Sequence, residues 1–404
     1  MTREEIIKNA RSLVEKNPNL ALQWPTGLGK SRCAIELVNN IGIFSPKVLL
    51  VVNEIPHKKN WQEELKKWKA NFKPKIICYA SLKNHTGTKW DAIIWDEAHH
   101  LGTPLRISYF ETITARNNFF LSATLTKDFL SLIKSILGNL ETYKVTLSDA
   151  INSNIIPQPQ IYLVKLTLDY KYRDEEFVEE WGTKYKRVEY ITDYKGRWTY
   201  KKNKRSYPHV RLIVKCTQQE KYNYLCEQIE YWKKRYMIER TATVKNKWLQ
   251  YGSQRKRFLG EAKSPDASDL IDMIKKQNKR FICFCTSIAQ ADMLGKDTCI
   301  HSQMNNPTEV IDKFNKHKIN SLFACQMITE GQNLKDIEVG IIIQLDGQEL
   351  KYIQKTGRVL RAKNPVQYVL YFEHTRDSEY LEKAMETIDK KYVKTVTMDE
   401  LSGL

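Results

Sequence analysis

The most constraining feature of the chain is a seven-residue turn. Pro25-Thr26-Gly27-Leu28-Gly29-Lys30-Ser31 follows a short apolar run at 20–24 and precedes a helical pattern at 32–38. Glycines let backbone N–H groups curl closely around a phosphate chain, and the helix that follows turns its positive end toward it. In such a loop Lys30 reaches the outer phosphates and the Ser31 hydroxyl binds Mg2+, while Pro25, Thr26, Gly27, Leu28 and Gly29 form the cradle. A loop of this kind requires a strand–turn–helix unit, and therefore an α/β fold. The bland alternative is an ordinary Gly/Lys turn.

The rest of the pattern agrees with the α/β reading. Apolar, β-branched runs at 47–52, 75–79, 92–95 and 118–121 alternate with helical stretches such as 60–69, and an amphipathic helix is expected at 3–16. That order predicts a doubly wound parallel sheet. At about residue 150 the alternation breaks. Pro157 and Pro159 mark a linker, and 160–168 alternates like a strand. Residues 170–210 are polar, aromatic and basic and predict a small β insertion, and 217–259 reads as helical. Strands return at 281–285, 321–324, 339–344 and 368–372. The expected division is a first α/β lobe at 1–150, a linker, β-rich insertion and basic helical segment at 151–262, and a second α/β lobe at 263–404.

Charge narrows the partners. The 404 residues carry a net charge of +18, and residues 181–260 hold 21 Lys/Arg against 6 Asp/Glu together with 15 of the 43 aromatic residues. A basic, aromatic segment of that kind suits a polyanion with stackable bases. The nearest candidates for such contacts are Lys204, Arg205, Arg255 and Arg257. Trp198, Tyr200 and Tyr207 are candidate base stackers; the bland reading is a solvated basic face over a small aromatic core. No apolar run reaches the ~18 residues that a membrane span needs, and the opening residues carry acid where a leader carries base. A cytoplasmic setting without membrane contact is expected. The eight cysteines form no CxxC pair, so buried reduced thiols are expected and a structural zinc is not.

A second motif completes a nucleotide site. Ile93-Ile94-Trp95-Asp96-Glu97-Ala98-His99 is an apolar strand ending in two acids. Asp96 at the strand end suits Mg2+, and Glu97 suits orienting and deprotonating an attacking water. With the loop at 25–31, this run resembles the Asp-Glu-Ala-His signature of superfamily 2 helicases of the DEAD/DEAH type, in particular the compact phage-encoded or DNA-repair members. Trp24 stands where the general phosphate-loop pattern has a glycine, a departure expected in that superfamily. Further motifs follow in the family's order. Ser122-Ala123-Thr124 matches the Ser-Ala-Thr motif, Thr329-Glu330-Gly331-Gln332-Asn333 resembles motif V, and Gln354-Lys355-Thr356-Gly357-Arg358-Val359-Leu360-Arg361 resembles motif VI.

The resemblance implies two RecA-like doubly wound lobes with ATP and Mg2+ between them and the basic, aromatic insertion joining them. It implies that Ser122 and Thr124 couple the nucleotide to the nucleic-acid groove, that Gly331 faces the nucleotide, and that Gln354, Arg358 and Arg361 act on the γ-phosphate. Asn53, Ser81, Thr329 and Asn333 fall where the family touches the bound strand. The expectation is an ATP-driven nucleic-acid motor, with DNA favoured over RNA; no oligomeric state is implied, and a monomer suffices. Three rivals share these motifs: an ATP-gated clamp, a duplex translocase that does not unwind, and an RNA helicase. A small-molecule P-loop kinase fits poorly, because it has no use for the second lobe's motifs.

Overall fold

The computed structural model describes the chain except for residues 158, 180–186, 192–209, 305, 326–333, 335, 346–361, 363, 387 and 403–404. Six parallel strands build the first sheet: β1 (Asn19–Gln23), β2 (Val48–Val52), β3 (Lys75–Cys78), β4 (Lys89–Asp96), β5 (Thr114–Ser122) and β6 (Glu141–Lys144). Their spatial order is β3-β2-β4-β5-β1-β6. Period-two alternation sends Leu20, Leu22, Leu50, Ile94 and Phe119 to one face, under the helices Arg3–Lys16, Lys30–Asn39 and Ile55–Lys67. Ala21, Leu49, Val51, Trp95 and Phe120 go to the other face, under Pro104–Phe110 and Lys127–Leu137. Both faces are covered, as a buried parallel sheet requires. The first helix starts on a capping box between Thr2 and Glu5.

Four further strands precede the second run of alternation: β7 (Gln160–Leu166), β8 (Arg173–Glu179), β9 (Arg187–Ile191) and β10 (Val210–Cys216). The last three form the small β unit, in the order β8-β10-β9. The second parallel sheet contains β11 (Phe281–Phe284), β12 (Cys299–Ile300), β13 (Ser321–Ala324), β14 (Val339–Ile342), β15 (Val366–Phe372) and β16 (Val393–Val396). Its order is β12-β13-β11-β14-β15-β7-β16. No helix among the described residues is long and apolar enough to cross a membrane.

The grouping differs from the sequence division in two places. β7, read as part of the 151–262 segment, is hydrogen-bonded between β15 and β16 of the second sheet. Its partners lie some two hundred residues downstream, where no local pattern points to them. The stretch read as one helical run is two helices, Gln218–Glu239 and Ala242–Ala262, reversed at Arg240, which takes a left-handed φ of 48°. Tyr222, Tyr224, Leu225, Phe258 and Leu259 share one core with Phe281, Cys283, Ile341 and Leu370. The root of this helix pair is therefore a wall of the second lobe.

A polar knot ties that wall to the sheet. Lys263, wholly buried, places its Nζ 2.5 Å from Asp377 Oδ2 and donates to Gln344 Oε1 (2.7 Å) and the Ile343 carbonyl (3.1 Å). Gln344 Nε2 donates to Asp377 Oδ1 at 2.6 Å, and the Phe372 amide donates to Oδ2 at 3.2 Å. Burial pushes the Lys263 ammonium's pKa down, and the carboxylate opposes that. Removing one member of a buried pair leaves the other uncompensated. Lys263→Met is expected to lower the unfolding free energy by about 3–5 kcal/mol in denaturant titration. Adding Asp377→Leu to it should recover most of the loss, and a Lys263→Met protein as stable as the parent would show that the pair contributes nothing.

Candidate nucleotide site

The phosphate loop leaves β1 at Trp24, whose amide donates to the Ser122 carbonyl at 3.2 Å and whose side chain is buried edge-on against Tyr143. Gly27 and Gly29 take left-handed φ values of 89° and 102°, which a side chain would strain. No atom of the described residues lies within 4 Å of a Cβ built on Gly27. Gly29 starts the helix Lys30–Asn39, and no side chain caps it, so its first N–H groups face the loop. Lys30 Nζ folds over the loop and donates to the carbonyls of Trp24 (3.0 Å) and Pro25 (3.4 Å). From the outer side, Arg3 donates to the Gly27 carbonyl at 3.3 Å.

The acid pair stands at the end of β4. Asp96 Oδ2 accepts the indole N–H of Trp61 at 2.7 Å, and the Tyr79 hydroxyl donates to the Asp96 carbonyl at 3.0 Å. The Asp96 pKa is pushed up to about 6, first by burial and then by the neighbouring Glu97 charge; the Trp61 bond, His57 and Lys30 pull the other way. Glu97 follows in a left-handed conformation, φ 47°. Its Oε2 is buried without a hydrogen-bond partner among the described residues, and His99 Nδ1 lies 3.5 Å away. The same His99 Nδ1 is 3.0 Å from Ser122 Oγ, which in turn accepts the Thr124 amide at 3.1 Å.

Sheet order explains why these groups meet. β5 lies between β1 and β4, with Gln23 paired to Ser122 and Asp96 to Leu121. Parallel strands put all three C-terminal ends on one edge. Lys30, Ser31, Asp96, Glu97, Ser122 and Thr124 therefore converge, as the motifs imply. Asn53 follows β2, and Ser81 sits in the turn Tyr79–His85 after β3, so both lie farther along the same edge. Arg255 lies in the helix pair and points at Cys226 Sγ (3.4 Å); Arg257 is exposed and paired with Glu261. Gly331, Thr329, Asn333, Gln354, Arg358, Arg361, Lys204 and Arg205 lie outside the described residues.

The donor set fits a phosphate chain with Mg2+. Glycines leave room for the phosphates, Lys30 and the bare helix end supply positive charge, and the Ser31 and Asp96 oxygens are hard donors suited to Mg2+. The Glu97 Oε2 atom, buried and without a hydrogen-bond partner among the described residues, is an acceptor available to a bound group. A second cluster, Asp292, Cys299 and His301, is a poorer metal site. His301 Nδ1 accepts the Gln303 amide, so its proton sits on Nε2 and is given to Asp292 at 2.9 Å.

Two contributors escaped the sequence reading. Trp61 packs in the core and its N–H is aimed at Asp96; a buried indole needs an acceptor, which is the only signal the sequence offers. His57, on the same helix as Trp61 and buried near Asp96, falls at the end of the 52–57 stretch that resembles the family's motif Ia, which does not by itself assign it to the acid pair.

Two outcomes follow from this geometry. A carboxyl whose folded pKa lies above its unfolded value binds more protons when folded, so its contribution to stability falls as pH rises from about 4 to about 6. In metal-free buffer, Asp96→Asn should raise the melting temperature at pH 7 and lose that advantage near pH 4. An equal shift at both pH values would remove the ionised carboxylate as the cause. Trp61→Phe keeps the bulk and loses only the N–H. The Mg2+ concentration for half-maximal ATP hydrolysis should rise about tenfold, the scale of one hydrogen bond to a charged group, with the melting temperature nearly unchanged. A normal Mg2+ requirement would make Trp61 packing alone.

Residues 2–86 match the family described as the res subunit of type III restriction enzymes, and residues 265–363 match the helicase conserved C-terminal domain. No curated protein matches in sequence. Among solved structures, S. cerevisiae Dbp5 bound to RNA and ADP BeF3 superposes with a TM-score of 0.56 at 14% identity, covering 99% of this chain and 91% of that one. The Pyrococcus furiosus Hef helicase domain superposes with a TM-score of 0.50 at 14% identity, covering 94% and 96%. At such identities these two show the fold, while the family matches fall on one lobe each. With the phosphate loop, the acid pair and the two parallel sheets in place, the chain is a superfamily 2 helicase built on two RecA-like lobes.

Proposed function

We propose that the chain hydrolyses ATP in response to nucleic acid and uses the cycle to move along or open DNA. The observation that carries this is the shared strand edge. The phosphate loop, the acid pair and the Ser122–Thr124 turn are held on three adjacent parallel strands; the Trp24 amide ties the loop to Ser122, and His99 lies between Ser122 and Glu97.

The residues divide the work. The loop's backbone N–H groups and Lys30 hold the phosphates, and Lys30 exchanges its carbonyl partners for them. Mg2+, held at Ser31 and Asp96, supplies charge neutralisation when bound. Trp61 fixes one oxygen of Asp96 and leaves the other for the ion. Glu97 orients the attacking water and takes its proton on the orphaned oxygen. His99 Nδ1 lies 3.5 Å from Glu97 Oε2 and 3.0 Å from Ser122 Oγ, so a change of charge at the acid is felt by the imidazole and by the Ser122–Thr124 turn, whose hydroxyls exchange partners at little cost. Arg358, Arg361 and Gln354 are proposed to close on the γ-phosphate from the second lobe, as the motif VI resemblance implies.

DNA is the proposed track. The net charge of +18 suits either nucleic acid, and a second reading, an RNA helicase, is favoured by the likeness to an RNA-bound structure. ATP turnover measured alone and with single-stranded DNA, duplex DNA and RNA separates them. Stimulation by DNA of about tenfold or more supports the proposal; stimulation by RNA alone selects the second reading, and an unchanged rate with all three rejects both. Lys30→Ala is expected to abolish turnover while nucleic-acid binding persists. Equal loss of both would mean that the variant is misfolded.

A further inference from the structure

The helix pair reaches well beyond the core that anchors it. Gln218–Glu239 has 22 residues, so at ~1.5 Å per residue it spans about 33 Å. Its first half is rooted through Tyr222, Tyr224, Leu225 and Ile229, and the returning helix through Phe258 and Leu259. The outer half, residues 230–250, buries only Val244. It is braced within itself by the stacked rings of Tyr236 and Trp248, centroids 5.9 Å apart. It is thus an arm whose outer half packs chiefly on itself.

Its end is chemically unusual. Met237 is 70% exposed and Ile238 84%, beside the turn at Arg240 and Thr241, with Tyr231 and Leu249 also exposed. Adjacent apolar side chains at the tip of an arm contribute nothing to the fold, and such patches mark contact sites. Around them, residues 230–250 hold six Lys/Arg against two Asp/Glu. Glu230 and Glu239 are paired with Lys233 and Arg235. Lys234, Arg240, Lys245 and Lys247 are exposed and join no ion pair among the described residues. Protein interfaces deplete lysine. An apolar point within a ring of free cations fits a partner with phosphates outside and flat apolar faces inside, which is a nucleic-acid duplex at its open end.

We infer that the tip of this arm is a junction contact: Lys234, Arg240, Lys245 and Lys247 hold backbone phosphates, and Met237 with Ile238 packs on the outermost base pair where a duplex meets single strands. This rests on the nucleic-acid reading above and adds to it a preferred substrate and its reader.

The test compares the parent chain with a Met237→Ser/Ile238→Ser variant and a Lys245→Gln/Lys247→Gln variant. Both change exposed residues, so melting temperatures should match the parent. Fluorescence anisotropy is read on a labelled forked DNA duplex, a forked RNA duplex and a single strand of each, with ATP turnover measured in parallel. The parent should prefer a fork to a single strand. The serine pair should bind the fork about tenfold more weakly, the scale of one lost base contact, with single-strand affinity unchanged. The glutamine pair should reduce the slope of log affinity against log salt by about 2. A parent with no fork preference, or a serine pair that keeps it, overturns the inference. So does a parent that self-associates through Met237 and Ile238 with fork affinity unaffected. Fork preference without nucleic-acid-stimulated turnover would preserve the contact and reject the motor; stimulated turnover with no fork effect would do the reverse.

Discussion

β5 sits between β1 and β4, and the chemistry of the first lobe depends on that placement. A parallel sheet aligns strand ends, so the residues just past Gln23, Asp96 and Ser122 emerge on one edge within reach of each other. The Trp24 amide, bonded to the Ser122 carbonyl, holds the phosphate loop to the strand that carries the Ser122–Thr124 turn. Because the sheet beneath is buried on both faces, the edge is a rigid platform.

Holding two acids there has consequences for stability. Asp96 is pushed toward neutrality by burial and by Glu97, and Glu97 takes a backbone conformation that costs about 1–3 kcal/mol. A cation at Asp96 would relieve the electrostatic part of this, and Mg2+ has the right charge and ligand preference. The same logic makes Trp61 intelligible. One carboxylate oxygen is satisfied by an indole donor, which orients the other without adding charge. Its helix begins just after Asn53, so Asp96 is tied to the loop expected to touch the bound strand.

The second lobe uses burial of charge differently. Lys263, Gln344 and Asp377 satisfy one another inside the core, at the point where the helix pair meets the ends of β14 and β15. A network of this kind favours one packing of wall against sheet, since any slippage leaves a bare charge in an apolar interior. The arm that extends from this wall can then be slender, because its root is fixed.

Motifs and periodicity were legible because they are local. The glycine loop, the apolar strand ending in Asp96 and Glu97, and the alternation of strands and helices each lie within a few residues, where steric and hydrogen-bonding rules act directly. They were enough to name two doubly wound lobes and to choose Lys30, Ser31, Asp96 and Glu97. Trp61 against Asp96, His99 against Ser122, β7 between β15 and β16, and the helix pair in the second core are contacts between distant segments. An apolar or alternating stretch says only that it will be buried, and burial has many possible partners. Which partner is met depends on strand order and on the packing of whole faces, so it was decided in three dimensions. The exposed tip of the arm is the converse case: Met237 and Ile238 look like core residues in the chain, and only the tertiary structure leaves them facing outward.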